Sequence, residues 1–348
     1  MKWNTKTDTL ALMVGHGRSL DGSWDPGCTY GIYTEAGLML HIVKNAVSLL
    51  RKSGVKVITD ADDANNRNMK ASVAWANNKK ARLYMSIHCD NRGNATTKAP
   101  TGIAPLYVSA AGKKFADAVG KYIAKKLDMK WLGAHKRTDL YELNATDMTS
   151  CILETGFIKA DLKKLKAAKT YGRTLAKAIL KYIGVPVYVS KQTRLRRKEA
   201  EILAYMNAHH FKYTRSWKDC AMTWEGAKKL RRSNCSCTMS YCAQEVQLLE
   251  PGQIFWFNKT KIVCKGKGTK KTLKKNFQIL TPRKTPKNAG LKRGDFTCSG
   301  TAHTQAFGGM SGGHPTWYSW APSDVGKKQP RHKKSYDKRK VTIVMRPK

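Results

Sequence analysis

Residues 9–17 read TLALMVGHG and residues 83–91 read LYMSIHCDN. Each is an apolar run of strand length that stops at a histidine, His16 in one and His88 in the other. Apolar residues at consecutive positions mark strands covered on both faces, the usual state of a parallel sheet. Outward from these runs, residues 55–59, 103–108 and 151–157 also read as strands. Between them, residues 35–50, 71–78, 113–127 and 162–183 place apolar side chains at helical spacing. Strands separated by helices of roughly 10–15 residues imply βαβ units. The first half is therefore expected to be α/β, a largely parallel sheet flanked by helices. The pattern stops at Gly184-Val185-Pro186, a helix stop followed by an extended segment.

Residues 188–198 (YVSKQTRLRRK) are basic and poor in Gly and Ser, and read as a short linker. Beyond them, residues 199–208 and 224–230 are helix-like and a third helix starts near Cys235. After Pro251 come short strand-like pieces at 254–257, 261–264, 277–280, 303–307, 316–320 and 341–345. Helices first and strands later suggest an α+β domain. The expected division is 1–187, a linker at 188–198, and 199–348. The basic stretches 265–275 and 327–340 read as solvated loops, and no internal repeat is found.

Composition limits the function classes. The 348 residues carry 65 Lys or Arg and 24 Asp or Glu, a formal net charge of +41. With 41% hydrophobic residues there is material for two cores, so wholesale disorder is excluded. No apolar run approaches the roughly 20 residues a membrane span requires. The first ten residues lack a secretory signal layout, so synthesis in the cytoplasm without a signal peptide is expected. Nine cysteines, an odd number scattered along the chain, favour reduced thiols over a disulfide framework. The charge calls for an anionic partner: nucleic acid, a cell-wall polymer or a membrane surface. Residues 188–348 hold 35 of the basic residues and only 9 of the acidic ones.

Four segments concentrate the chemistry of the first half: Val14-Gly15-His16-Gly17, Tyr33-Thr34-Glu35-Ala36, Ser86-Ile87-His88-Cys89 and Leu153-Glu154-Thr155-Gly156-Phe157. His16 and His88 each follow a strand, so both imidazoles emerge at the carboxyl edge of the sheet, where open α/β folds place their sites. Two imidazoles and the Glu35 carboxylate make a three-ligand zinc set with a fourth position open for water. Glu154, at another strand end, is then a free carboxylate able to handle protons. Ordinary strand-end polar residues are the bland alternative, and for any one of them alone it would win.

The four segments, with Asp25-Pro26-Gly27 between the first two, resemble in order and spacing the zinc-dependent N-acetylmuramoyl-L-alanine amidases of bacterial and phage cell-wall lysis. The resemblance covers about residues 9–184. It implies one zinc ion on His16, Glu35 and His88, with Glu154 as catalytic acid/base. The bond cut would be the amide between N-acetylmuramic acid and the L-alanine of the stem peptide. Asp90 stands where the family has Asn, leaving Asn91 one position late. Cys89 is expected to be a bystander, and His41 and His135 are other candidate ligands.

A second group lies further on. Asn234-Cys235-Ser236-Cys237 precedes a helical run, and a thiol at a helix start is favoured as thiolate. His303 begins a later strand, and Ser319 lies on the next one. The half from about 195 to 348 looks like the papain-like cysteine peptidases of the NlpC and CHAP types, though less specifically. That likeness puts Cys235 at the nucleophile and His303 at the base, with Ser319 as the third member and Cys237 as rival nucleophile. Buried inert thiols, or a metal on Cys220, Cys235, Cys237 and Cys242, are the competing readings.

The whole reads as an endolysin-like peptidoglycan hydrolase with a zinc amidase and a cysteine-dependent peptidase acting on the stem peptide or cross-bridge. It would be made in the cytoplasm and act on the wall after release. An amidase with a non-catalytic basic wall-binding half is the alternative. A nucleic-acid-binding protein is third, because no nucleic-acid module or interleaved stacking aromatics are found. Peptidoglycan is the expected partner, with anionic teichoic acids held by basic loops.

Overall fold

The computed structural model describes residues 3–62, 68–91, 101–258, 261–299, 303–324, 326–327, 329–332 and 339–348. The chain divides into two compact units, Met1–Tyr188 and Val189–Lys348.

The first unit is built on a six-stranded sheet. Its strands are β1 (Thr9–Val14), β2 (Lys56–Ile58), β3 (Leu83–Asp90), β4 (Leu106–Tyr107), β5 (His135–Lys136) and β6 (Thr149–Phe157), in spatial order β2-β1-β3-β6-β4-β5. The pairings β1–β2, β1–β3, β3–β6 and β4–β5 are parallel, and β4–β6 alone is antiparallel. The helices are α1 (Glu35–Lys52), α2 (Met69–Asn78), α3 (Ala110–Leu127), α4 (Tyr141–Asn144), α5 (Leu162–Lys166) and α6 (Ala168–Ile183). Strand β1 shows why its sequence is continuously apolar. Leu10, Leu12 and Val14 enter the core shared with α1, α3 and α6, while Ala11 and Met13 pack with Val73 and Ala76 of α2. Both faces are covered, so both sets of side chains are hydrophobic.

Two expectations need correction in this unit. Only Leu106–Tyr107 of the 103–108 run is a strand, and Ile103 makes an isolated bridge to Trp131. The 162–183 run is two helices, because Ala167 (φ −77°, ψ 47°) leaves helical geometry. The break lets α6 seat Tyr171, whose hydroxyl donates to the Thr155 carbonyl of β6 at 2.7 Å.

The second unit begins with α7 (Lys191–Ala208), α8 (Trp224–Leu230) and α9 (Cys235–Glu245). The linker expected at 188–198 is thus mostly helix. Ser190 caps it by accepting the Thr193 N–H at 3.2 Å, and its Lys, Gln, Arg and Leu residues are good helix formers. A hairpin follows, β7 (Ile254–Asn258) with β8 (Lys261–Lys265), then α10 (Thr269–Asn276). The 265–275 stretch is therefore not simply a loop: α10 buries Leu273 and Thr269 and turns its lysines outward. The remaining strands, β9 (Phe277–Leu280), β10 (Phe296–Ser299), β11 (His303–Ser311), β12 (His314–Tyr318), β13 (Arg331–His332) and β14 (Val341–Pro347), form an antiparallel sheet ordered β9-β14-β10-β11-β12-β13. Of the basic stretch 327–340, residues 328 and 333–338 lie outside the described residues. Among the described residues no helix is long and apolar enough to cross a membrane.

Candidate active site

His16, Glu35 and His88 come together at the carboxyl ends of β1 and β3, each offering a ligand atom within 4.8 Å of the others. His16 stands two residues past β1. His88 lies on β3 itself. Glu35 is the first residue of α1, whose N-cap Thr34 accepts the Gly37 N–H at 3.1 Å. Glu35 Oε1 is 3.1 Å from His88 Nδ1 and 3.5 Å from His16 Nε2. Two glycines leave room for this approach. A Cβ on Gly15 would sit 2.0 Å from His88 Cε1, and one on Gly27 would sit 2.7 Å from Glu35 Oε2.

Backbone amides complete the carboxylate's shell: Cys28 N–H donates to Oε2 and Cys89 N–H to Oε1, both at 3.0 Å. Burial works to raise the Glu35 carboxyl, but the imidazoles and amides overcome it and hold the group down at about 2. Each imidazole also meets a second carboxylate. Asp25 Oδ2 is 2.8 Å from His16 Nδ1, and Glu142 Oε2 is 3.3 Å from His88 Nε2. Glu142, on α4, is buried and accepts from Tyr84 Oη at 2.6 Å and Ser86 Oγ at 3.0 Å. Burial pushes its carboxyl up, while His88, Tyr84 and Ser86 bring it below the usual range.

Glu154 lies on β6, in register with His88 across the parallel β3–β6 pair, just before a bulge that ends at Phe157. Its Oε2 is buried and has no hydrogen-bond partner among the described residues. Burial pushes its carboxyl up to about 7. His16, Glu35 and His88 thus form one cluster, and Glu154 stands beside His88 on the neighbouring strand. His41 and His135 are exposed, on α1 and β5, and neither belongs to the three-donor cluster. Glu142 was missed by sequence reasoning. Its one signal is a carboxylate inside the otherwise apolar Leu140-Tyr141-Glu142-Leu143 turn. Cys28 was missed as well, its contact with Glu35 being through the backbone.

The second unit distributes its candidates differently. Cys235 opens α9, capped by Asn234, whose Oδ1 accepts the Cys237 N–H at 2.8 Å. Burial raises the Cys235 thiol, opposed by the Thr304 N–H, Ser236 and the Tyr213 hydroxyl. Strand alternation decides the rest. Thr304 Oγ1 meets Ser236 Oγ at 2.7 Å and Ala306 enters the core shared with α9. Phe307 packs instead with Trp317 in a separate cluster. By the period of two, Thr304 and Ala306 share the face of β11 toward α9, and His303 begins the strand on the face that carries Phe307; Ser319, expected on the next strand, lies one residue past the end of β12. Ser319 Oγ donates to Asp324 Oδ2 at 2.6 Å. The Cys237 thiol meets that of Cys220. Among the described residues the C-terminal cysteines form no three-donor metal cluster.

A three-donor cluster that could hold a metal ion, with the half-buried Glu154 beside it at the strand ends of a mostly parallel sheet, places the chain among α/β proteins with a candidate metal site. Within that class the chain belongs to the N-acetylmuramoyl-L-alanine amidase family Amidase_3, whose model matches residues 10–185. It is similar to an uncharacterized 38.4 kDa protein of Clostridium perfringens, 28% identical over 148 residues that make up 41% of this chain. That match spans only 42% of the relative's length. Protein YqiI of Bacillus subtilis (strain 168) is 23% identical over 49% of this chain and 81% of its own. Among solved structures, the catalytic domain of the amidase CwlV from Bacillus (Paenibacillus) polymyxa var. colistinus is 23% identical, covering 51% of this chain and 99% of that one, with a TM-score of 0.45. The amidase AmiC2 of Nostoc punctiforme is 24% identical, covering 51% and 98%, with a TM-score of 0.46.

Proposed function

We propose that the chain is a zinc-dependent N-acetylmuramoyl-L-alanine amidase that releases stem peptides from peptidoglycan. The observation that carries this is the gathering of His16, Glu35 and His88 within 4.8 Å of one another. Beside them lies the half-buried Glu154, whose Oε2 is buried and lacks a partner among the described residues. Two imidazoles and one carboxylate suit zinc with a position left open, so the residues fit the metal. Zinc bound there supplies Lewis-acid polarisation of the amide carbonyl and acidification of water. Glu154 takes the proton from the attacking water and delivers it to the departing L-alanine nitrogen.

Asp25 and Glu142 set the two histidine tautomers. By accepting from His16 Nδ1 and His88 Nε2, they leave His16 Nε2 and His88 Nδ1, the nitrogens facing Glu35, with lone pairs free to ligate. Replacing Glu142 with Ala is expected to weaken zinc affinity about 10–100-fold, measured by competition with a chromophoric chelator. Unchanged affinity in a folded variant would remove the role. The function itself is tested by digesting purified peptidoglycan. New N-terminal L-alanine without new reducing sugar is expected, and reducing sugar or no product at all would sink the reading.

For residues 199–348 a papain-like cysteine peptidase is the second reading, favoured by Cys235 opening α9 against β11 with its thiol receiving the Thr304 N–H. It requires the His303 imidazole, at the first residue of β11, to turn toward α9. A second new peptide-derived amine, lost in Cys235→Ala, supports it. Its absence leaves the unit as a basic wall-binding module. In either case we assign the lysines of α10 and its flanks to anionic wall polymers such as teichoic acids. Wall binding should then weaken steeply as salt rises from 50 to 500 mM in a pull-down with purified walls (roughly, given a Debye length near 10 Å at 0.1 M). Binding indifferent to salt would exclude that anchor.

A further inference from the structure

Two cysteines that the proposed reaction does not use lie against Glu35. Cys28 precedes the short Thr29–Tyr30 strand, and Cys89 follows His88 on β3. Their Sγ atoms are 3.8 Å apart, and the Cys28 thiol also reaches the Cys89 carbonyl at 3.3 Å. The same two residues supply the amides that hold the Glu35 carboxylate. Both thiol sulfurs and a Glu35 oxygen fall within 4.8 Å of one another, a second three-donor set that shares Glu35 with the histidines. Cys89 and Glu35 are buried and Cys28 is half-buried, so the set is enclosed but reachable from the Cys28 side.

The geometry matches a cation between the sulfurs. A tetrahedral ion about 2.3 Å from each thiolate holds the two sulfurs about 3.8 Å apart. That sulfur–sulfur spacing is already present. Ligand softness then sorts the two sets. Thiolates select thiophilic cations, whereas imidazole and carboxylate suit zinc without requiring sulfur.

We propose that Cys28, Cys89 and Glu35 form a second binding site, for a thiophilic divalent cation, that competes with the His16–Glu35–His88 set for Glu35. Binding joins the ion to two sulfurs and releases both thiol protons to solvent, with no change of oxidation state. Occupancy withdraws Glu35 from the histidines and so inhibits. Only this inhibition rests on the amidase reading; occupancy of the thiols stands without it.

The test uses the full chain, metal-free and zinc-loaded, with cadmium chloride as the probe. In ¹¹³Cd NMR the expected result is a thiolate-ligated resonance at one ion per chain, lost in Cys28→Ala and in Cys89→Ser. Cys28→Ala is the safer variant, because Cys28 is half-buried and its amide is retained. In the zinc-loaded protein, amidase activity should fall in step with that resonance and return on adding a dithiol. Cadmium bound with only a nitrogen and oxygen signature would overturn the proposal. So would a thiolate resonance that persists in folded Cys28→Ala, since the ion would then sit on other cysteines. A chain that shows the resonance but no amidase activity before cadmium is added refutes the amidase reading and leaves this site standing.

Discussion

Glu154→Gln is expected to lower the release of L-alanine N-termini from peptidoglycan by roughly 10²–10⁴-fold, the range that a positioned general acid/base contributes. The substitution keeps the shape of the side chain and removes its ability to carry a proton. Glu154 sits on β6 beside the central strand β3, and the backbone pairing there does not depend on the carboxylate. The fold and zinc uptake should therefore survive, checked by circular dichroism and by metal content after dialysis. Glu154 Oε2 makes no hydrogen bond among the described residues, so Gln breaks no observed contact at that atom. Substrate binding should change little, placing the loss in kcat rather than KM. Turnover near the unmodified level would show that Glu154 moves no proton.

The contrast between the two units shows what a sequence discloses. In the first, β1 and β3 are apolar on consecutive positions because helices cover both faces, and a histidine marks where each run meets solvent. Strand-end chemistry of this kind is written locally, and His16, His88 and Glu154 were singled out for that reason, whereas Glu35 stands at the start of a helix. Glu142 was not, because α4 is a single turn with no periodicity to read, and only the fold carries it to His88. In the second unit the helix start at Cys235 was visible, as was the strand at His303. Which face of β11 meets α9 is set by packing among Thr304, Ala306 and Ser236, and local sequence does not encode it. The helix over 191–208 was half read as linker because residues 191–198 are basic and bury only Leu195.

A larger stability effect is expected at Glu199, on α7. Its side chain is fully buried, and neither carboxylate oxygen has a hydrogen-bond partner among the described residues. Burial pushes the carboxyl up to about 8, with Arg196 on its own helix opposing and Asp295, just before β10, reinforcing. Asp295 is itself paired with Arg346 at 2.7 Å. Cys242 of α9 and Tyr318 of β12 also feel the Glu199 charge, and both are neutral near pH 7. The folded protein therefore holds Glu199 protonated at neutral pH, whereas the unfolded chain ionises it near 4.5. For an acid whose folded pKa is raised, stability is highest below the unfolded pKa. It falls as pH climbs from about 4.5 to about 8 and is then level. The gap corresponds to roughly 4–5 kcal/mol at most. Glu199→Met removes the titration and fills the site with a side chain of similar length. Hydrogen exchange of α7 and α9 amides in the full chain should show the variant more protected, by a margin that widens from pH 5 to pH 8.5. Parallel pH dependences in the two proteins would mean that Glu199 does not ionise in this window and that its burial is compensated.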